Sequence, residues 1–310
     1  MARILVTGAG GFIGAGLCPA LAARGHAVIA GLRRDTPAEA AAPVVLGDIS
    51  SVTDWARALA GIDIVIHLAQ RAHAGPDPAA LAADPPTVAS LARAMGPAGA
   101  RRLVLVSSIK AMGEATAPGR PFRPDDEPRP EDAYGRAKLA SERAAREAAD
   151  NAGIELVVIR PPLVYGPGVK ANFLALIRLA ASGAPLPFAA LDNRRSLIFR
   201  DNLVDLLAVA ATYPTAAGMI LLARDDADFS TPDLIRALAD GLGRKARLFP
   251  VPTALLAAVG ILPTIGPLLS RLTGSLQVDD SATHAMLGWV PPVPAATALR
   301  ETARTFAAGL

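Results

Sequence analysis

The sequence predicts an α/β fold built on a doubly wound parallel sheet. Short apolar runs alternate with longer helix-like stretches from residue 1 to about residue 160, and the runs are apolar throughout. Strands of this composition are buried on both faces, as in a parallel sheet with helices on each side. Right-handed crossovers then give a Rossmann-type sheet. The runs are Ile4–Val6, Val28–Ala30, Val44–Leu46, Ile64–Leu68, Leu103–Val106 and Leu156–Ile159.

Helices are predicted between these runs, at Phe12–Arg24, Thr53–Leu59 and Tyr134–Asn151. The Pro- and acid-rich residues 118–131 indicate a surface loop before the last of them. After residue 160, prolines and glycines interrupt the alternation. We therefore expect residues 1–160 to form the Rossmann domain and residues 161–310 to form mainly a smaller, mixed region, with some segments returning to the first domain.

Composition excludes several classes of protein. The net charge is +3 and no basic stripe is interleaved with aromatic residues, so nucleic-acid binding is not expected. The single cysteine, Cys18, rules out a disulfide framework and indicates a reducing compartment. The chain runs from Met1 directly into a glycine loop, with no room for a signal peptide, so we expect a cytoplasmic protein. No metal site is predicted.

Residues 253–270 contain no charged side chain and approach the length of a membrane span. Pro263 and Pro267 remove helix donors, and Gly260 and Gly266 loosen the backbone. We interpret the segment as two short apolar helices in a core or lid. The alternative is a patch that rests on a membrane surface.

A glycine loop follows the first strand. Gly8 favours a tight turn, Gly11 lets the backbone approach a pyrophosphate, and Gly14 lets the next helix pack closely on the sheet. The N-terminus of that helix offers N–H groups and a partial positive charge to phosphate. The loop therefore predicts a dinucleotide cofactor, bound by Gly8, Gly11, Phe12, Ile13 and Gly14.

The end of the second strand bears on the choice between NADP and NAD. An acidic residue there would bind the ribose 2′-hydroxyl of NAD, but this chain has Leu32 followed by Arg33 and Arg34. Arg33 could pair with the 2′-phosphate of NADP, which favours that cofactor. In the alternative interpretation both arginines are solvated loop charges.

Tyr134 and Lys138 lie four residues apart and share one face of a helix. A nearby ammonium is expected to lower the phenol pKa from about 10. The phenol can then act as a general base on a hydroxyl and as a general acid on a keto oxygen. Lys138 would also bind the nicotinamide ribose. Ser107 and Ser108 supply hydroxyls at the end of the fifth strand.

Over essentially its whole length the chain resembles an extended short-chain dehydrogenase/reductase. It is most similar to the nucleotide-sugar epimerase/dehydratase group, which includes UDP-galactose and UDP-N-acetylglucosamine 4-epimerases. The glycine loop and the YxxxK of Tyr134–Lys138 are shared by the whole superfamily. Blocks typical of the sugar-nucleotide members are RPPLVYGPG, NRRSLIFRDN and LTGSLQVD.

The resemblance implies further site residues. Ser108 takes the position of the catalytic Ser/Thr, five residues before Gly113. On the substrate side, Asn172 and Arg195 would contact the diphosphate, Arg271 would add a second clamp, and Pro187 and Phe188 would lie at the uracil. Additional cofactor contacts would come from Asp48, Ile49, Leu68, Ala69 and Pro161.

Two positions depart from the pattern of the group. Asp84 stands where relatives usually carry Asn, and Pro85 and Pro86 follow it, so the helix there is expected to begin late. Leu163 stands where many relatives have Asn, which is compatible with the RPPLVYGPG subgroup.

These features predict a nucleotide-sugar 4-epimerase that forms a 4-keto intermediate on a UDP-hexose or UDP-N-acetylhexosamine. The same residues would serve an NADPH-dependent 4-keto-sugar-nucleotide reductase, and a non-catalytic NADP-binding sensor is a third hypothesis. By analogy with relatives we expect a homodimer, packed through alanine-rich faces within residues 138–149.

Overall fold

A parallel sheet of seven strands, in the order β3-β2-β1-β4-β5-β6-β9, forms the centre of the part of the chain that the structure describes. The structure is a computed structural model, and it describes residues 1–36, 38, 41–71, 77–117, 119–259 and 272–309. A separate two-stranded parallel sheet joins β7 to β8. The strands are β1 Arg3–Thr7, β2 Ala27–Leu32, β3 Ala42–Val45, β4 Ile64–His67, β5 Arg102–Val106, β6 Glu155–Arg160, β7 Leu163–Tyr165, β8 Leu197–Phe199 and β9 Ile220–Leu222.

Helices follow most of the strands. Two short 3₁₀ turns, at Ile109–Ala111 and Pro214–Ala216, add to them. The α-helices are α1 Gly14–Ala23, α2 Ala56–Leu59, α3 Pro78–Ala82, α4 Asp84–Met95, α5 Ala133–Ala152, α6 Ala171–Ala181, α7 Arg200–Thr212, α8 Thr231–Gly241, α9 Thr253–Val259, α10 Ser281–Leu287 and α11 Ala295–Ala308.

The sheet is buried on both faces, because alternate residues of each strand enter different cores. Ile4 and Val6 pack with α1 and α7, whereas Leu5 between them packs with α4 and α5. Each pair of neighbouring strands is parallel. The predicted doubly wound fold is therefore confirmed, and each of the six apolar runs contains or overlaps a strand. The seventh strand, β9, is a short run that the sequence analysis missed.

Helix α4 begins at Asp84, earlier than the sequence analysis expected. Pro85 and Pro86 occupy the first turn, where a backbone N–H has no partner inside the helix. The prolines therefore start this helix and do not delay it. Asp84 is only 4% exposed, so the start of α4 brings a carboxylate into the protein interior.

Residues beyond β6 build a second core around the β7–β8 sheet, in which Tyr165 stacks on Phe173 with ring centroids 5.1 Å apart. Helices α8 and α11 pack against each other in this region. Of the apolar segment 253–270, the structure describes α9, and residues 260–270 lie outside the described part. No helix among the described residues has the length and hydropathy needed to cross a bilayer.

The alanine-rich surface proposed for dimerisation is largely used within the chain itself. Ala145, Ala148 and Ala149 of α5 are buried against the sheet, in the same core as Leu103 and Leu156. These three alanines bring the helix close to its own sheet, whereas Ala140 of the same segment is exposed.

Arg102 at the start of β5 ties the sheet to the end of α7. Its side chain is 8% exposed and pairs with Glu155 at 2.6 Å. Its Nη1 donates to the carbonyl oxygens of Ala211 at 3.1 Å and Tyr213 at 2.8 Å. A guanidinium thus satisfies carbonyl groups that have no partner inside the helix.

Replacing Arg102 with methionine is expected to lower the free energy of unfolding by about 3 kcal/mol, because buried carbonyls lose a charged donor. Arg101 is the matched control: its side chain is 80% exposed and lies 3.8 Å from Asp63. Arg101→Met should change stability by less than about 0.5 kcal/mol. Urea unfolding followed by circular dichroism measures both values, and equal losses would contradict this role for Arg102.

Candidate active site

The predicted site residues gather at the carboxyl edge of the main sheet. The glycine loop follows β1, Gln70 follows β4, and Ser107 and Ser108 follow β5. The strand order reverses between β1 and β4, and open α/β sheets bind ligands at such a point. The sheet topology thus brings together residues that are distant in the sequence.

The glycine loop is held in a compact turn, in which the Gly11 N–H donates to the Gly8 carbonyl oxygen at 2.9 Å. A Cβ added at Gly14 would overlap that same oxygen and would lie 2.6 Å from Ala9 Cα. No side chain caps the N-terminus of α1, at Ile13. The loop therefore offers backbone N–H groups at a helix N-terminus that no side chain caps, which suits a pyrophosphate.

Arg33 and Asp48, both predicted to contact the cofactor, meet in an ion pair. Arg33 Nε lies 2.8 Å from Asp48 Oδ1, and the two side chains are 73% and 79% exposed. An exposed pair of this kind contributes little to stability, so its partners can exchange for a ligand. Ile49, Leu68 and Ala69 are half-buried beside these loops.

The structure places Ser108 and Lys138 close to Tyr134. The Ser108 hydroxyl is near enough to the phenol to lower its pKa by hydrogen bonding. Lys138 Nζ lies 5.5 Å from the centroid of the Tyr134 ring and donates to Gln70 Oε1. Pro161 follows β6 at the same edge, and its carbonyl oxygen accepts from the Ile109 N–H at 2.9 Å.

The start of α5 is fixed against the turn that follows Ser108. Asp132 caps the helix, accepting from the Gly135 N–H at 2.6 Å, and its other oxygen lies 2.8 Å from Lys110 Nζ. A Cβ at Gly135 would overlap the Lys110 carbonyl oxygen. The first turn of the helix, which carries Tyr134, is therefore in backbone contact with the segment that carries Ser108.

The pKa of the Tyr134 phenol is raised, whereas the sequence analysis predicted that it would be lowered. Burial raises the pKa of Tyr134 to about 12; the hydrogen bond to Ser108 opposes this rise, and the charges of Asp132 and Asp84 add to it. Burial also lowers the pKa of Lys138 to about 8. The phenol is therefore neutral near pH 7, because burial disfavours the charged phenolate.

A buried ion pair lies close to the predicted catalytic residues, and the sequence analysis missed it. Arg160 Nη2 lies 2.6 Å from Glu142 Oε2, and both side chains are almost fully buried. The Ser107 hydroxyl donates to Glu142. The available signals were the position of Glu142, four residues after Lys138 on the same helix face, and an arginine at the end of an apolar strand.

His67, at the end of β4, is also fully buried. Its Nδ1 lies 2.8 Å from Thr7 Oγ1, across β1 and β4. Burial, with the charge of Lys138 adding to it, lowers the pKa of His67 to about 3. The imidazole is therefore neutral at physiological pH and contributes no charge to the site.

On the predicted substrate side, Arg195 is half-buried and its Nη1 donates to the Gly274 carbonyl oxygen at 2.9 Å. Burial lowers the pKa of Arg195, and the charge of Glu114 opposes that effect. Asn172 lies exposed in the first turn of α6, Pro187 is half-buried, and the Phe188 side chain is buried in the second core. Arg271 lies outside the described residues.

The chain is similar to known proteins over almost its full length. The model of the NAD dependent epimerase/dehydratase family matches residues 4–220. The UDP-glucose 4-epimerase of Vibrio cholerae is 37% identical over 311 residues, which cover 98% of this chain and 95% of that protein.

Solved structures show the same fold. The UDP-N-acetylglucosamine 4-epimerase of Bacillus cereus superimposes with a TM-score of 0.79 at 19% identity, covering 98% of each chain. The UDP-glucuronic acid 4-epimerase of Bacillus cereus, in complex with UDP-glucuronic acid and NAD, gives a TM-score of 0.78 at 22% identity. That match covers 99% of this chain and 100% of that one.

Replacing Gly14 with alanine is expected to weaken binding of NADH and NADPH at least tenfold, since the new methyl group collides with the backbone of the loop. Gly10 provides the control, because a Cβ there meets only Leu32 Cδ2, at 3.6 Å. Gly10→Ala should bind both dinucleotides like the wild type. Fluorescence titration measures the affinities, and unchanged binding by Gly14→Ala would contradict the assignment of the loop.

Proposed function

The chain belongs to the NAD dependent epimerase/dehydratase family, and on that premise we propose that it is a nucleotide-sugar 4-epimerase acting on a UDP-hexose or UDP-N-acetylhexosamine. It is an NAD(P)-dependent enzyme of the extended short-chain dehydrogenase/reductase type. One observation carries the proposal: Ser108, Tyr134 and Lys138 meet beside the glycine loop, in a chain that matches a UDP-glucose 4-epimerase along almost its full length.

In the proposed reaction, Tyr134 removes the proton from the sugar 4-hydroxyl and later returns it to the 4-keto oxygen. A bound nicotinamide would supply first the acceptor and then the donor of the C4 hydride of the sugar, and in its oxidised form a positive charge that favours the phenolate. Ser108 donates a hydrogen bond to the reacting oxygen. Lys138 keeps a positive charge beside the phenol, at a place from which water is largely excluded.

The substrate side of the proposal uses residues 161–310. Arg195 is presented by a backbone bridge to Phe229, in which the Arg195 N–H donates to the Phe229 carbonyl oxygen at 2.9 Å. A guanidinium on such a rigid support suits a diphosphate. We infer that Arg195 clamps the pyrophosphate, with Asn172 and Arg271 contributing further contacts and with Pro187 and Phe188 supporting the uracil.

A 4-keto-sugar-nucleotide reductase is the second candidate. It would use the Tyr134 phenol, which is neutral near pH 7, as the proton donor to a keto oxygen, as the return step of an epimerase also does. Arg33 supports the same alternative, since net reduction draws on NADPH. The two candidates share every residue named above. The epimerase would transfer hydride twice, with the sugar turning over in between, whereas the reductase would perform only the second transfer.

We also propose a preference for NADP over NAD, and a cytoplasmic homodimer as the working enzyme. The β2 strand ends in Leu32, whose side chain cannot bind a ribose 2′-hydroxyl, and the exposed Arg33 that follows it pairs with Asp48. Light scattering after size exclusion gives the oligomeric mass directly. Flotation with liposomes tests contact of residues 253–270 with a membrane surface.

Tyr134→Phe is expected to lower turnover about 100- to 10,000-fold, because the proton donor and acceptor is removed while the ring remains. The assay follows UDP-glucose and UDP-N-acetylglucosamine by NMR. Epimers formed without added cofactor support the epimerase, whereas NADPH consumption that requires a 4-keto sugar supports the reductase. Tyr213→Phe, at an exposed tyrosine, should keep full activity. Full turnover by Tyr134→Phe would refute both mechanisms.

Arg33→Ala is expected to weaken NADPH binding about tenfold and to leave NADH binding within about twofold, since only NADPH presents a 2′-phosphate. Titration of both dinucleotides into wild type and variant measures the difference. Arg34→Ala removes the neighbouring arginine and controls for general loss of positive charge. A wild type that binds NADH as tightly as NADPH would rule out the proposed preference.

A further inference from the structure

Gln70 makes a contact inside the site that the mechanism above does not use. It lies three residues beyond the end of β4, and its side-chain oxygen accepts the hydrogen bond from Lys138 Nζ. Its side-chain nitrogen is shielded from solvent and has no hydrogen-bond partner among the residues that the structure describes. A buried amide N–H without an acceptor is unfavourable, so this atom indicates that an acceptor belongs beside it.

The backbone around Gln70 is anchored on both sides. Its own N–H donates to the Leu68 carbonyl oxygen at 2.8 Å. The next residue, Arg71, holds Asp84 with two bonds, from its backbone N–H to Oδ2 at 3.0 Å and from Nη1 to Oδ1 at 2.7 Å. Because Asp84 is buried at the start of α4, the loop that carries Gln70 is fixed to that helix.

The Gln70 amide and the Lys138 ammonium place N–H donors next to each other in the site. A lysine ammonium has three N–H donors and no acceptor, and the bond to Gln70 uses one of them. The free N–H of Gln70 adds another donor next to those that remain. Donors clustered in this way suit the hydroxyl oxygens of a sugar ring, and the two residues lie at the switch point where the dinucleotide is expected.

We propose that Gln70 is a positioning residue that holds the Lys138 ammonium, and that its buried amide N–H donates to a ribose hydroxyl of the nicotinamide cofactor. This inference rests on the proposed NAD(P)-dependent function. It also explains the Arg71–Asp84 pair, which keeps the loop in place. Asp84, found where relatives usually have Asn, thus supports the site indirectly.

Lys138 is faced by charged and titratable groups from three elements. They are His67 of β4, Asp84 of α4, and Tyr134 and Glu142 of α5. The two carboxylates favour the ammonium, whereas His67 and Tyr134 are neutral near pH 7. Gln70 is the direct acceptor, so its replacement changes the proton affinity of Lys138 while these groups remain.

The test compares Gln70→Met, which removes acceptor and donor, with Gln70→Glu, which keeps an acceptor and adds a negative charge. Gln70→Met should bind NADH about tenfold more weakly at pH 7. Gln277→Met is the matched control at the only other glutamine, whose amide donates to Asp228 at 2.8 Å. It should bind NADH like the wild type.

The second readout is the pH above which NADH affinity falls as Lys138 loses its proton. Gln70→Met removes an acceptor for the ammonium and should lower this pH by about one unit. Gln70→Glu adds a negative charge and should raise it. A purely structural role predicts no such opposite shifts. If Gln70→Met fails to fold, the test of the proposal is whether this pH rises in Gln70→Glu.

Wild-type affinity in Gln70→Met, or identical pH curves in the folded variants, would overturn the proposal. NADH titration requires no sugar substrate, so the outcome is independent of the reaction. A protein that shows these shifts and yet converts no UDP-sugar would refute the proposed function and leave the role of Gln70 supported.

Discussion

The buried ion pair between Arg160 and Glu142 is the interaction on which the site depends. It joins the end of β6 to the middle of α5, and through the Ser107 hydroxyl it also reaches the end of β5. Removing two charges from water is costly, so the pair is a weak source of stability. Its value is positional: Ser108 follows Ser107 directly, and Lys138 lies one turn before Glu142. The two segments that carry Ser108 and Lys138 are thereby set at a fixed separation.

Positive and negative side chains alternate around this ion pair. Lys138 lies between the buried carboxylates Asp84 and Glu142, and each of these has its own arginine partner. Burial lowers the pKa of Lys138 and raises the pKa of Tyr134, so the phenol keeps its proton near pH 7. A dinucleotide that enters such a site meets an arrangement of donors fixed before binding, which avoids the cost of ordering them afterwards.

The sequence was sufficient for features that depend on local spacing. Apolar runs predicted strands, the glycines predicted the turn before α1, and a four-residue interval placed Tyr134 and Lys138 on one helix face. Features that depend on distant segments were missed, including the Lys138–Gln70 bond and the Glu142–Arg160 pair. The phenol pKa was predicted in the wrong direction, because burial is a property of the folded chain. Asp84 departs from the pattern of the group in sequence, and its bond to Arg71 depends on the fold.

Gly135 limits how this site can change. Its α-carbon faces the Lys110 carbonyl with no room for a methyl group, so α5 and the turn after Ser108 touch through bare backbone. Any larger residue would push the two segments apart and increase the distance between the hydroxyls of Ser108 and Tyr134. Mutational drift or laboratory selection can therefore reshape the walls of the substrate region, whereas the residue immediately after the tyrosine is confined to a single choice.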